Sequence, residues 1–480
     1  MSTSSSSRRN GLLLFAIVIF VGMLAVSWFN HGTGVIQNDA ARSIDIPKQL
    51  TMPLQVQAAY NGEKIFFRYR WPAQQPSIQH DVLKFEGGKW VVKGRAMPGP
   101  QTDRLHEDRV AMFVDDGRVP EFERYGGYIT IGDGINTFTR HASSNEVKAH
   151  AYLGKERKQE EVTKFLPETR SDINDWSSTV SKEKMAAQRK AGYFLDLWHW
   201  RSHRANPINM SDDQYVHDIR GGDKGKSGVF TNWDNDKKQP RLMFDPAKSK
   251  GIVANKWEDV AGNKLGFDDP YYLTETDAVA FDPNHAWKEG DTLPRRVLRQ
   301  GDGSIVDIKV AGQGRWKDGY WDVTLSRAMD TGNPEDDKIF RENGMYTLAF
   351  SVHRDATGGR WHYVSLPISL GLDRNATLKA TKFTGDVPNW GDTWTDVTLF
   401  YPGQVSWPLV NSSKHAGVHK VRQGVPVRVR HSEVQLAHYG VEMEFNDEII
   451  TQWRYSLLAG LLLVISFGIV LLVLVPRNKE

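Results

Sequence analysis

Cysteine is absent from all 480 residues. Disulfides, thiolate metal sites, iron–sulfur clusters, cysteine nucleophiles and thioether-bound haem are excluded together, because each needs a sulfur that only cysteine supplies. A charge excess is missing too. Lys and Arg number 61 against 58 Asp and Glu, a net of +3, with no long basic block, so nothing marks the chain as a nucleic-acid binder. There is no serine elbow, phosphate loop, dinucleotide fingerprint or paired-histidine zinc helix, and no repeat of 20–50 residues. Without a nucleophile–base pair or a carboxylate pair that spacing justifies, the chain is not expected to be an enzyme by itself.

What is present begins with aromatics. Sixteen Trp suggest packing or binding through flat apolar surfaces. Two uncharged runs frame the chain, 19 residues at 11–29 and 21 residues at 455–475. At 1.5 Å per residue each reaches about 30 Å, so a transmembrane helix is expected at either end. Arg8 and Arg9 precede the first run, and Arg477 and Lys479 follow the second. By the positive-inside rule both termini are expected in the cytoplasm of a bacterial inner membrane, with the intervening domain periplasmic. Ala25, Val26 and Ser27 also make a tolerable cleavage site, the alternative being a removed signal peptide; the length of the run favours an uncleaved anchor. The expected organisation is a tail at 1–10, a helix at 11–29, a linker at 30–50, a domain at 51–410, a β-rich membrane-proximal segment at 411–454, a helix at 455–475 and a tail at 476–480.

The large domain reads as mainly β. In Glu63–Trp71, Ile65, Phe67, Tyr69 and Trp71 share one face and Arg68 and Arg70 the other. Asn61–Gly62 is a hairpin signal after the strand-like 54–60. Further strand-like runs are 108–114, 193–200, 320–326, 346–353 and 361–370, and one short helix is expected at 182–190. The stretch 211–263 is polar and Gly- and Lys-rich, and reads as loop. Many short strands with turn-rich connections imply an antiparallel β-sandwich with long loops, flanked by the two single transmembrane helices.

Histidines are the best iron ligands that remain. His199 sits between two Trp in a predicted strand, sharing a face with Leu197 and Arg201, and His353 and His362 fall on two consecutive predicted strands. A haem needs one or two axial ligands, an apolar slot and cations for its propionates. His199, His353 and His362 with the neighbouring Trp residues and Arg201 offer all three, and Met112 and Met210 are possible thioether partners. The bland reading of any one histidine is a surface or hydrogen-bonded core residue. Asp212–Asp213, Asp268–Asp269 and Asp336 offer loop oxygens to Ca²⁺, but isolated acidic pairs in loops are usually solvated, so no metal beyond haem iron is expected.

The stretches DRVAMFV (108–114), VPEFERYGGYIT (119–130), KFLPETRSDI (164–173), AGYFLDLWHWRSHRANP (191–207), RWKDGYWDVTLSRAMDTG (315–332), FSVHRDATGGRWHYVSLPISLGL (350–372) and YPGQVSWP (401–408), in that order, resemble the ethylbenzene-dehydrogenase-related haem-binding domain. That domain occurs in the cytochrome subunit of dimethyl-sulfoxide-reductase-type molybdoenzymes and in several bacterial membrane cytochromes. The resemblance implies a β-sandwich that holds haem b without covalent bonds and passes electrons in the periplasm. Many membrane-associated relatives also carry c-type haem motifs, which a chain without Cys cannot have. The enzyme-subunit branch ligates its iron with a methionine and a lysine. Lys317 lies in the Trp-Lys-Asp-Gly block, and no Met falls just before the LDLWHW strand, so a ligand from His353 or His362 is the better local reading.

Three functions follow. The first is a membrane-anchored haem b electron-transfer protein or subunit of a membrane redox complex, with the bilayer and redox or membrane-complex proteins as partners. The second is a haem-free structural or accessory subunit of a membrane complex. The third is a ligand-binding module of carbohydrate type, stacking sugars on exposed indoles.

Overall fold

A computed structural model describes residues 3–30, 51–94, 105–130, 142–172, 175–223, 225–301, 308–310, 312–354, 362–400, 451 and 453–465. The expected linker at 30–50, nearly all of the β-rich segment at 411–454, the block 401–408 and the C-terminal tail lie outside them.

The strands form where period-two alternation runs. Strand β1 (Thr51–Tyr60) turns into β2 (Lys64–Pro72) through Asn61, whose Oδ1 accepts from the backbone N–H of Glu63 at 3.0 Å and of Lys64 at 2.7 Å. Gly62 takes φ +94° at this corner, a conformation that side chains disfavour. The remaining strands of the main sheet are β3 (Arg109–Asp115), β4 (Leu195–Arg201), β5 (Met210–Val216), β6 (Arg220–Gly222), β7 (Ile308–Val310), β8 (Arg315–Lys317), β9 (Tyr320–Ala328), β10 (Met345–His353), β11 (Tyr363–Ser365), β12 (Ile368–Leu372), β13 (Leu378–Lys382) and β14 (Thr395–Phe400). The helix at Lys182–Lys190 forms where expected. Ser181 Oγ caps it by accepting from Lys184 N–H, Glu183 lies in its first turn, and Arg189 and Lys190 lie in its last.

The expected sandwich is corrected. The fourteen strands make one sheet, and its pairings run in a circuit. β9 pairs β7, β7 pairs β5, and the chain of partners continues through β4, β3, β10, β11, β14 and β1 to β2, which pairs β9 over nine residues, from Lys64↔Ala328 to Pro72↔Tyr320. Alternation reveals which face of a strand is buried. It does not reveal whether the sheet closes, because closure rests on partners some 250 residues apart, as for Arg68 and Asp322.

The enclosed face is the core. Phe67, Tyr69, Trp71, Trp198, Trp200, Trp321, Phe350 and Leu399 all belong to one cluster. Trp71, Trp198, Trp200 and Trp321 are fully buried; Trp71, Trp200 and Trp321 meet edge-on or offset, with ring centroids 5.2 Å apart for Trp200 and Trp321, and Trp198 meets Phe67 and Phe340 edge-on. These indoles are packing residues, not surfaces for stacking sugars. A smaller sheet, built from Val82–Glu86, Lys89–Lys93, Asn255–Lys256 and Asp291–Pro294, stands apart over its own apolar cluster. The stretch read as loop at 211–263 contains most of β5, all of β6 and the helix Trp257–Ala261.

Among the described residues no helix is long and apolar enough to cross a membrane. This corrects the expectation of a transmembrane helix at each end. A helix runs from Thr3 to Asn30, and helical residues are described at 453–465. The finding concerns helices alone.

Candidate functional site

Strands β4, β3 and β10 stand side by side in register. Trp200–Val110–Val352 and Trp198–Met112–Phe350 point into the core. Leu197–Phe113–Ala349, His199–Ala111–Ser351 and Arg201–Arg109–His353 point outward. The first outward row is sealed by Val119, Phe122, Ile129, Leu166 and Tyr193. The second is not: Ala111 and Ser351, with Val364 beside them, stay half-buried. Small side chains thus stand half-buried in the middle of the largest sheet, along a stretch of its outer face termed the trough.

Lys164 stands at one end. Its Nζ donates to Thr130 Oγ1 at 2.9 Å and lies 6.0 Å from the Phe113 ring centroid. Desolvation, and then the Arg220 guanidinium, pull its ammonium down to about 8, so a usable fraction is neutral amine near neutral pH.

His199 crosses the middle. Its Nδ1 lies 3.0 Å from Arg201 Nη2 and 2.5 Å from Arg220 Nη2. Arginine only donates, so Nδ1 must accept, and a neutral ring then carries its proton on Nε2. Burial and the Arg220 charge hold the ring well below the usual histidine range. Both ring nitrogens are therefore committed, one accepting and one protonated, and neither lone pair is left for iron. Gln214 Oε1 accepts from Arg220 Nη2 at 2.6 Å, and Asp212 pairs Arg201 Nε at 3.0 Å. Arg109 and Arg204 share the fully buried Glu107 at 3.2 and 3.5 Å. Arg109, Arg201, Arg204, Arg220 and Lys164 thus face only Glu107 and Asp212 among these pairings. The surplus positive charge suits an anionic ligand.

Imidazoles gather at the other end. His353 stacks on His362 with centroids 4.7 Å apart and 17° between planes, and its Nδ1 lies 3.3 Å from His106 Nε2. His80 follows at 6.1 Å from His106, and His203 at 6.3 Å from His80. The backbone N–H of His203 donates to Glu107 Oε2 at 2.9 Å. Desolvation, then Arg109, lowers both His80 and His106 far below their ordinary value. No three of these imidazoles place nitrogens within reach of one ion among the described residues.

The sequence-derived candidates thus divide. His199, Arg201, His353 and His362 meet at the trough, with His199 placed as an arginine clamp and not as a ligand. Met112 does not join them. It faces the core, where its Sδ accepts from Tyr69 Oη at 3.3 Å, because β3 alternation sends even-numbered residues inward. Lys317 does not join them either; it is exposed at the hairpin between β8 and β9. Met210 is buried at the start of β5. Lys164, Arg220, Arg109, His80, His106 and His203 were missed. The available signal was the Leu105–His106–Glu107–Asp108 run before β3 and the lysine opening KFLPETR, each a loop whose destination no period reveals.

A model of the ethylbenzene dehydrogenase family matches residues 36–365. A cytochrome c-552 from Stutzerimonas stutzeri is 31% identical over 111 residues, which is 22% of this chain and 35% of that protein. The chain spans about a third of that relative's length. Both likenesses are to redox-related proteins.

Proposed function

Because the chain belongs to the ethylbenzene dehydrogenase family, we propose that the trough holds a haem without covalent attachment and that the protein exchanges single electrons with a partner redox protein outside the cytoplasm. It serves as an electron-transfer component and not as a catalyst in its own right.

The observation that carries this reading is the donor set. A desolvated amine, Lys164, lies 6.0 Å from the Phe113 ring centroid, with the Arg220 guanidinium near enough to depress it and Arg109 and Arg201 in the same outward rows. That set fits a flat dianionic macrocycle. Lys164 would offer its amine to the iron, and Arg220, Arg201 and Arg109 would pair with carboxylates. Phe113 and Ala111 would line the flat face. His199 holds two of those arginines apart from each other and fixes their direction. Gln214 and Asp212 fix them from the far side. A bound haem supplies reversible one-electron chemistry at a potential set by its ligands and the surrounding dielectric. With Cys absent from the whole sequence, no thioether link can form, so b-type haem is the form proposed.

The test is a pyridine haemochrome spectrum of full-length protein made with ample haem. A b-type band near one equivalent per chain is expected. A colourless, correctly folded preparation would overturn the reading and favour a haem-free accessory subunit.

A further inference from the structure

The mouth of the closed sheet opposite the histidines is stopped by acid. Asp196 on β4 and Asp213 on β5 point inward beside Trp198, and the loop after β9 brings Asp336 and Asp337 onto them. Asp223 reaches the same place from just beyond β6. Arg327 serves part of this group. Its Nη2 pairs Asp196 at 2.7 Å, and its Nη1 pairs Asp213 at 3.1 Å and Asp337 at 2.6 Å. Arg189 stands 3.7 Å from Asp336. Arg327 thus serves three of these five carboxylates, and Arg189 stands near a fourth.

Two observations show that protein groups do not complete the set. Both carboxylate oxygens of Asp223 are shut off from solvent and receive no hydrogen bond, and Oδ1 of the fully buried Asp196 receives none either. A buried carboxylate without a partner costs several kcal/mol unless something neutralises it.

The oxygens are arranged for a cation. One oxygen each from Asp223, Asp336 and Asp337 lies within 4.8 Å of the others. Ligands on opposite sides of Ca²⁺ stand about 4.6–5.2 Å apart, twice a 2.3–2.6 Å bond. The donors are all hard oxygen, with no sulfur or imidazole, which suits a hard cation such as Ca²⁺ over zinc or copper. Thr331 Oγ1 donates to Asp337 Oδ2 at 2.5 Å and orients that carboxylate from behind. The Asn333 amide lies against Asp336 Oδ1, so its own oxygen is available to the same point after a half-turn of the amide.

We infer that Asp223, Asp336 and Asp337 bind one Ca²⁺, which ties the loop after β9 to β5 and β6 and closes that end of the sheet. The inference stands apart from the haem reading, since it uses neither the trough nor its ligands.

The experiment uses full-length protein stripped with EGTA and titrated with Tb³⁺, exciting tryptophan, because Trp198 lies 4.8 Å from the Arg327 guanidinium in the same cage. Saturable sensitised emission is expected, displaced by Ca²⁺ far better than by Mg²⁺, and Ca²⁺ should raise Tm by about 2 °C or more. In Asp223→Asn the Tb³⁺ affinity should fall about tenfold or more, and the Ca²⁺ effect on Tm should vanish. No saturable emission from the folded wild type overturns the inference, as does equal binding by the variant. So does an Asp223→Asn protein that gains stability over a wild type indifferent to Ca²⁺, which would make a proton the occupant.

Discussion

His199 Nδ1 sits between Arg201 Nη2 and Arg220 Nη2, at 3.0 and 2.5 Å, and this double acceptance assigns the ring a positioning role. His199→Ala leaves the buried Arg201 and the half-buried Arg220 guanidiniums short of an acceptor and should cost about 2–4 kcal/mol in urea unfolding. His199→Gln, whose amide oxygen can accept from both, should recover most of that. Neither variant should change the iron ligand field of haem-loaded protein. A changed ligand-field spectrum in both would contradict the tautomer assigned to His199.

Acid should unfold the protein through its histidines. Burial lowers the folded-state values of His80, His106, His199 and His203 below the ordinary 6.5. Above 6.5 both folded and unfolded chains hold these rings neutral, and stability is unaffected. Below it the unfolded chain takes up protons that the folded one refuses, so stability falls by up to about 1.4 kcal/mol per pH unit for each ring. Chemical denaturation from pH 7.5 down to 5.5 measures the slope, and His106→Gln should flatten it. A pH-independent midpoint across that window would mean that the rings are not held neutral.

Arg327 bridges three buried carboxylates. Arg327→Met removes the counter-charge and keeps most of the volume. A loss of about 3–5 kcal/mol in thermal or urea unfolding is expected. A loss under 1 kcal/mol would show that the carboxylates already hold protons.

How much of this was legible can be judged from individual residues. Strands β2, β3, β9 and β10 and the helix at Lys182–Lys190 follow from alternation and capping alone, because both are local. Strand β5 was read as loop because its sequence, MSDDQYV, has the composition of one. Its two aspartates are polar for a tertiary reason, Asp212 pairing Arg201 and Asp213 pairing Arg327. Closure of the sheet was hidden by the same distance in sequence that separates β2 from β9. At the site, His353 and His362 were visible on strands, whereas His80, His106 and His203 converge on them from loops. The contacts of His199 Nδ1 with Arg201 and Arg220 could not be read from sequence, because hydrogen-bond direction needs coordinates. Lys164 opens a block that resemblance picked out, yet its desolvation depends on Phe113 and Arg220, neither of them near it in sequence.

The central claim is that Lys164 holds the iron of a non-covalent haem in the outer trough. The most direct measurement is an optical haem titration of full-length wild type beside Lys164→Ala. The account predicts saturable binding of one haem to wild type, and in the variant a changed haem spectrum with affinity down about tenfold or more. Indistinguishable spectra and affinities in the two proteins, or no saturable binding to wild type, would contradict it.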